Sequence, residues 1–190
     1  MLVRVLLKKY IRAVGADDSP FIPRTSGETF VVLTLVRAPN YLEGVHKVTI
    51  EIDGLDATEN IIEGIFNAGF DKQMRVFMIE GACVGGFNPV DIEKIYKEFN
   101  IISMSLTKNK PHPEKIYAAL RNHFPDWERR LRIINKGSLL QISKGSSTLY
   151  VRYFPEDINK EEIEKVITAF TVRGIRPEPV RLADLIASLL

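Results

Sequence analysis

A chain of 190 residues, 45% of them hydrophobic, is long enough to bury a sizeable core without disulfides and suits a single domain spanning 1–190. Lys plus Arg (26) nearly balance Asp plus Glu (24), a formal charge of +2, so bulk charge does not drive binding to polyanions and any nucleic-acid contact must be a local patch. The single cysteine, Cys83, excludes an intramolecular disulfide, and three scattered histidines leave a zinc cluster short of ligands, so a reducing, cytoplasmic setting is expected. The longest apolar runs, Phe30 to Val36 and Met1 to Leu7 broken by Arg4, are far shorter than a bilayer span. Met1 to Tyr10 is followed by no small-residue cleavage site and does not read as a signal peptide.

In chain order, the first third reads as strands: Ile11 to Ala16, Thr29 to Arg37, and Gly44 to Ile52, where Val45, Val48, Ile50 and Ile52 partly alternate. Turn-rich segments separate them. Asp56-Ala57-Thr58-Glu59 opens a helix with Ile61, Ile62, Ile65 and Phe66 on one face. Strand Arg75 to Ile79 then leads to a helix over Asn88 to Phe99, and strand Ile101 to Leu106 to a helix over Pro113 to His123. A charged segment around Asp126 to Lys136 follows. Short strands near Leu139 to Ser143 and Leu149 to Tyr153 precede helices over Asn159 to Thr171 and Pro179 to Leu190. Three strands on short connections followed by strand-helix-strand-helix imply a mixed α/β sheet with helices on its faces.

Two of these strands end in acid: Ile11-Arg12-Ala13-Val14-Gly15-Ala16-Asp17-Asp18 and Arg75-Val76-Phe77-Met78-Ile79-Glu80-Gly81. In crossover-connected sheets the ligand side lies at the carboxyl ends of parallel strands, so Asp17 and Glu80 are expected side by side. Adjacent carboxylates repel unless a cation relieves them, and hard oxygen donors suit Mg²⁺ or Mn²⁺, which in turn hold phosphate. Neighbours in an extended chain point to opposite faces, so only one of Asp17 and Asp18 faces Glu80, and Asp17 is favoured. A third carboxylate is expected from the strand-to-helix edge at Asp53, Asp56 or Glu59. Taken singly, each of these acids also reads as a turn or cap residue, since Asp-Ser-Pro and Asp-Gly are common turns.

Other motifs compete. Gly81-Ala82-Cys83-Val84-Gly85-Gly86-Phe87-Asn88 stands between a strand and a helix, but matches neither G-x-G-x-x-G nor G-x-x-x-x-G-K-[ST]. It is expected to shape a turn or to bring backbone close to a metal or phosphate. Cys83 reads as packing, and His46, His112 and His123 as surface or capping residues. The cluster Lys108-Asn109-Lys110 lies just past a strand end, and a lysine there is a candidate phosphate partner or a solvated loop charge. Glu128-Arg129-Arg130-Leu131-Arg132 reads as a solvated helix face rather than a backbone-binding patch.

Four runs carry a family resemblance: Arg12 to Phe21, Asp53-Gly54-Leu55-Asp56-Ala57-Thr58-Glu59, Gly85-Gly86-Phe87-Asn88-Pro89-Val90-Asp91-Ile92, and Pro177-Glu178-Pro179-Val180-Arg181-Leu182-Ala183-Asp184-Leu185-Ile186-Ala187-Ser188. They cover nearly the whole chain in order, and in them it resembles the archaeal endonuclease dU family, related to endonuclease V and so to the ribonuclease H-like fold. Gly15-Ala16-Asp17 is similar to the Gly-x-Asp of endonuclease V, which implies Asp17 as a metal ligand. Glu80-Gly81 stands where endonuclease V has Asp-Gly, and Leu106-Thr107-Lys108 resembles its valine-alanine-lysine, implying Lys108 near the scissile phosphate. Its intervening glutamate falls near Asp53, Asp56 and Glu59, with Asp56 favoured as the third ligand. Tyr41-Leu42-Glu43-Gly44 is similar to its tyrosine wedge, implying Tyr41 as a stacking contact, and a late acid would fall near Glu156-Asp157. The Pro-Glu-Pro-x-Arg-Leu-Ala-Asp run is expected to position the last helix, with Arg181 structural. The resemblance implies a Mg²⁺- or Mn²⁺-dependent endonuclease on DNA containing uracil or hypoxanthine, with RNA the second polymer considered. A non-catalytic nucleic-acid- or protein-binding domain and a small-molecule phosphohydrolase are the rival expectations.

Overall fold

The computed structural model describes residues 10–190, so the readings of Met1 to Leu7 and of Met1 to Tyr10 lie outside the described residues apart from Tyr10 itself. Seven strands form one mixed sheet. In chain order the elements are β1 (Arg12–Asp18), β2 (Glu28–Arg37), β3 (Tyr41–Glu51), α1 (Ala57–Asn67), β4 (Val76–Glu80), a small ribbon of β5 (Cys83–Val84) and β6 (Asn88–Pro89), α2 (Ile92–Phe99), β7 (Ile102–Thr107), α3 (Pro113–His123), α4 (Trp127–Ile134), β8 (Ser138–Lys144), β9 (Ser147–Phe154), α5 (Lys160–Ala169) and α6 (Glu178–Ala187). The strand order is β3-β2-β1-β4-β7-β9-β8. β1, β4 and β7 run parallel at the centre, and the remaining pairs are antiparallel. Among the described residues no helix is long and apolar enough to cross a membrane.

Both faces of the central strands are covered, which is why they read as nearly continuous apolar runs rather than alternating ones. Side chains still alternate between faces. Ala13, Val76, Met78 and Leu106 pack with Phe170 of the α5 end and Val180 of α6 on one face. Val14, Ala16, Phe77 and Ile79 pack with Ile61 and Ile65 of α1 and Ile95 of α2 on the other. Phe77, Met78, Ile79 and Ile95 are fully buried, each stabilising the fold by about 1.5–3 kcal/mol relative to exposure. This two-faced parity decides where each acid at the strand ends points.

The structure differs from the sequence expectation in three places. The helix expected from Asn88 begins at Ile92: Asn88 and Pro89 pair with Cys83 and Val84, and Asp91 caps the helix by accepting the Lys94 N–H. The charged segment around Asp126 to Lys136 contains a helix, α4. Its run of arginines is not wholly a solvated face, because Arg130 is buried.

Candidate active site

Three parallel strands deliver the site. The β1–β4 register pairs Ala16 with Ile79, which sets Asp17 beside Glu80, and Glu80 pairs with Leu106, two residues before Lys108. Odd-numbered residues of β1 share a face with Ala13, and even-numbered residues of β4 share it with Met78. Asp17 and Glu80 therefore emerge on the α6 side, while Asp18 turns to the opposite side and accepts the Gly85 N–H at 2.6 Å. Gly15 makes the α6 packing possible. A Cβ there would lie well inside van der Waals contact of the Pro179 backbone, and Thr34 Oγ1 donates to the Pro179 carbonyl at 2.8 Å. Buried Glu178 pairs with Arg181, as expected of a structural arginine. With α6 so docked, Asp184 reaches the same edge.

Asp17, Glu80 and Asp184 meet around one cation, Arg176. Its Nε donates to Glu80 Oε2 at 3.0 Å, Nη1 to Asp184 Oδ2 at 2.6 Å, and Nη2 to Asp17 Oδ2 at 3.2 Å. These residues, with Asp18, Phe21 and Lys108, line a cavity of about 480 Å³. Burial, then the charges of Asp18 and Glu80, push the Asp17 carboxyl up from 3.8 to about 7. Three carboxylates against one guanidinium leave the edge underneutralised even with each of the three Arg176 nitrogens engaged. Lys108 is exposed at the end of β7 on the cavity rim.

The other acids lie elsewhere, and the reason is which face of the sheet carries them. α1 packs opposite α6, so Asp56 at its start is held in the strand-to-helix turn. It accepts from Asn60 Nδ2 at 2.8 Å, Asn88 Nδ2 at 2.6 Å and the Glu51 N–H. Glu59 pairs with Lys94. Asp53, at φ 57, accepts the Phe87 N–H at 2.8 Å. None of the three lines the carboxylate cavity. Tyr41 pairs with Arg37 and Arg37 with Arg12, at the amino end of β1. Five strand residues at roughly 3.3 Å each put that position about 17 Å from Asp17. Glu156 and Asp157 follow β9 and are likewise not part of the cavity.

A second cavity of about 530 Å³ adjoins the first through Phe21, which lines both. Phe87 and Phe124, with ring centroids 5.4 Å apart, form its aromatic side, and Asp53, Arg24 and His123 its polar side. Arg130 fixes this wall. It donates to the Gly54 and Phe87 carbonyls, each at 2.8 Å, and lies 4.2 Å over the Phe124 ring. The glycine loop serves this geometry rather than an anion: its Gly85 and Phe87 N–H groups are taken by Asp18 and Asp53. Gly86, at φ 92, has no room for a Cβ beside the Asp53 carboxylate. Burial pushes the Cys83 thiol up to about 12, so it is not a thiolate nucleophile near neutrality.

Sequence reasoning assigns no role at the site to Asp184, Arg176 or Arg130. A signal existed for Asp184, since the Pro-Glu-Pro-x-Arg-Leu-Ala-Asp run carries it and Val180, Ala183 and Ala187 mark the buried side of α6 one position away. Arg176 stands in an irregular segment with no periodicity to mark it.

A seven-stranded mixed sheet flanked by helices is an α/β, ribonuclease H-like arrangement. A 13% identical endonuclease V from Ciona intestinalis, solved with a 24mer DNA containing an inosine followed by a ribo-adenosine, superposes with a TM-score of 0.61 over 95% of this chain and 85% of that one. Endonuclease V from Bacillus subtilis, 12% identical, gives 0.55 over 93% and 78%. The particular family follows from the sequence: a profile described as endonuclease dU matches residues 9–190, and the chain belongs to that family. A UPF0215 protein of Methanothermobacter thermautotrophicus is 34% identical over 182 residues, 96% of this chain and 88% of that protein. A protein of unknown function from Archaeoglobus fulgidus, 33% identical, has a TM-score of 0.82 over 94% of this chain and 97% of that one.

Proposed function

We propose that this member of the endonuclease dU family is a divalent-metal-dependent endonuclease that hydrolyses a phosphodiester bond beside a deaminated base, uracil or hypoxanthine, in DNA. The observation that carries the reading is the convergence of Asp17, Glu80 and Asp184 on one cavity, with Lys108 on its rim and an aromatic cavity next door. Among the described residues no group of three or more His, Cys, Asp and Glu side chains stands in metal-holding geometry, and Arg176 holds one oxygen of each carboxylate. The donor set nevertheless fits a hard divalent ion: three carboxylates, with a charge excess of two over Arg176 and a buried Asp17 whose ionisation is opposed by its neighbours. Asp17, Glu80 and Asp184 would hold Mg²⁺ or Mn²⁺. Such an ion supplies a bound water of lowered pKa and polarises a phosphoryl oxygen.

The protein's own groups account for the rest. Lys108 neutralises charge growing on the phosphate. Phe21 stands at the boundary of the two cavities, and the Phe87 and Phe124 faces receive an unpaired base, with Asp53 and Arg24 available to its polar edge. Arg130 keeps that wall rigid by tying the Gly54 and Phe87 carbonyls to α4. The fold shared with a DNA-bound endonuclease V supports a nucleic-acid polymer as substrate. A non-catalytic binding domain is the second reading, and the observation favouring it is that all three carboxylates have a protein partner in Arg176.

The test is cleavage of labelled single- and double-stranded oligonucleotides carrying uracil, hypoxanthine or no lesion, with Mg²⁺, Mn²⁺ or chelator, beside Asp17→Asn. Lesion-dependent nicking is expected with metal, and Asp17→Asn should lower it on the order of 10³-fold, as removal of a group from a reacting centre does. Nicking equal in the variant, or undiminished in chelator, would remove the basis of the proposal.

A further inference from the structure

We infer that Arg176 is an exchangeable internal cation: it holds the three carboxylates when the cavity lacks metal and transfers its guanidinium to a substrate phosphate when they are claimed by a divalent ion. The inference rests on the metal-dependent reading above and concerns a residue that sequence patterns leave unmarked. Each of the three guanidinium nitrogens donates to a different carboxylate: Nε to Glu80, Nη1 to Asp184 and Nη2 to Asp17. The oxygens it occupies are among those a metal would take, and a monovalent and a divalent cation on the same carboxylates repel each other. Metal entry therefore costs at least part of the Arg176 contacts.

The side chain is placed to make the exchange. Arg176 lies in the irregular segment between α5 and α6, after Gly174 at φ 64. The backbone on either side is pinned, by burial of Ile175 and by the Glu178 N–H donating to the Phe170 carbonyl at 2.8 Å. Movement is thus confined to the long side chain, which rotates without unfolding its neighbours. Released from the carboxylates, the guanidinium would leave donors unsatisfied in a largely buried position, 17% exposed. A phosphodiester oxygen in the same cavity supplies what it loses, because a guanidinium fork matches phosphate as well as carboxylate. Lys108 approaches the cavity from the end of β7, so two cations would bracket the phosphate.

The exchange predicts effects of opposite sign from one substitution, a pattern that a merely structural arginine does not produce. Mn²⁺ binding to the full chain, Arg176→Gln and Arg176→Lys is measured by calorimetry and Mn²⁺ electron paramagnetic resonance, with thermal melts confirming the fold. Arg176→Gln should bind Mn²⁺ ~10-fold more tightly than the unsubstituted chain, and Arg176→Lys should fall between them. In saturating Mn²⁺, Arg176→Gln should bind a uracil oligonucleotide with a non-hydrolysable linkage ~10-fold more weakly. Equal or weaker Mn²⁺ binding by Arg176→Gln overturns the exchange while leaving the metal-dependent reading in place, provided the unsubstituted chain binds. Tighter Mn²⁺ binding with unchanged oligonucleotide affinity overturns the transfer to phosphate. Absence of Mn²⁺ binding in all three proteins overturns this inference and the metal-dependent reading together.

Discussion

Arginine–carboxylate clusters stand at both ends of β1, and their charge balance is opposite. At the amino end one carboxylate, Glu43, is shared by Arg12 and Arg37, the latter at 2.9 Å, with Tyr41 stacked 4.6 Å from the Arg37 guanidinium. The Arg12 hydrogen bond, with the charges of both arginines, holds Glu43 below its usual range. At the carboxyl end three carboxylates share one Arg176, and Asp17 is pushed up to about 7. An ion pair that satisfies its acid is an ordinary way to finish a strand. One that leaves acids crowded, in a cavity, marks a candidate functional centre.

The largest way to break the contrast is to move α6. Gly15→Ala places a methyl group against the Pro179 backbone, which cannot give way as a side-chain tip could. The expected cost is about 3 kcal/mol of unfolding free energy, read from urea denaturation, with loss of lesion-dependent nicking as Asp184 and Arg176 shift. A variant as stable and active as the unsubstituted chain would show that α6 docking does not set the site.

The next effect is the pH dependence carried by Asp17. Its pKa is about 7 in the fold and 3.8 in the reference state, so folding favours the protonated form. The stability this gives is complete below about pH 4 and is lost as pH rises through 7. Asn at position 17 stays neutral throughout. In chelator, Asp17→Asn should therefore become more stable than the unsubstituted chain as pH rises from 4 to 8, by on the order of 2 kcal/mol after allowance for solvent reaching the carboxyl. Parallel stability curves over that range would contradict the crowded-carboxylate account. The amino end should behave otherwise. Glu43→Gln and Tyr41→Ala, on a partly exposed cluster, should each cost under about 1 kcal/mol and change nicking less than about twofold. A large loss of nicking in Tyr41→Ala would make that tyrosine a substrate contact.

Much of this was legible in the sequence because it depends on local periodicity. The strand ends at Asp17 and Glu80 follow from apolar runs stopping at acid, and alternation points Asp17 and Asp18 to opposite sides, Asp18 accepting the Gly85 N–H. What was not legible depends on which face of the sheet a helix covers. Asp56 precedes α1 and reads as an acid at a strand-to-helix edge, whereas Asp184 lies on α6 in a run read only as positioning the last helix; the docking of α6 at Gly15 and Thr34 brings Asp184 to Asp17. Arg130 reads as one charge in a run of four, yet its burial comes from carbonyls contributed by Gly54 and Phe87, 76 and 43 residues away. Tyr41 fits a family pattern by sequence, and antiparallel register carries it to the amino end of β1, away from Asp17.

The most direct measurement compares Asp184→Asn with Asp56→Asn in the lesion-dependent nicking assay, each variant first shown to be folded. The structure predicts that Asp184→Asn loses nicking on the order of 10²-fold or more, while Asp56→Asn, whose carboxylate serves a turn, keeps it within a few-fold. The reverse pattern, with Asp56 required and Asp184 dispensable, would contradict the assignment of the site to the α6 face.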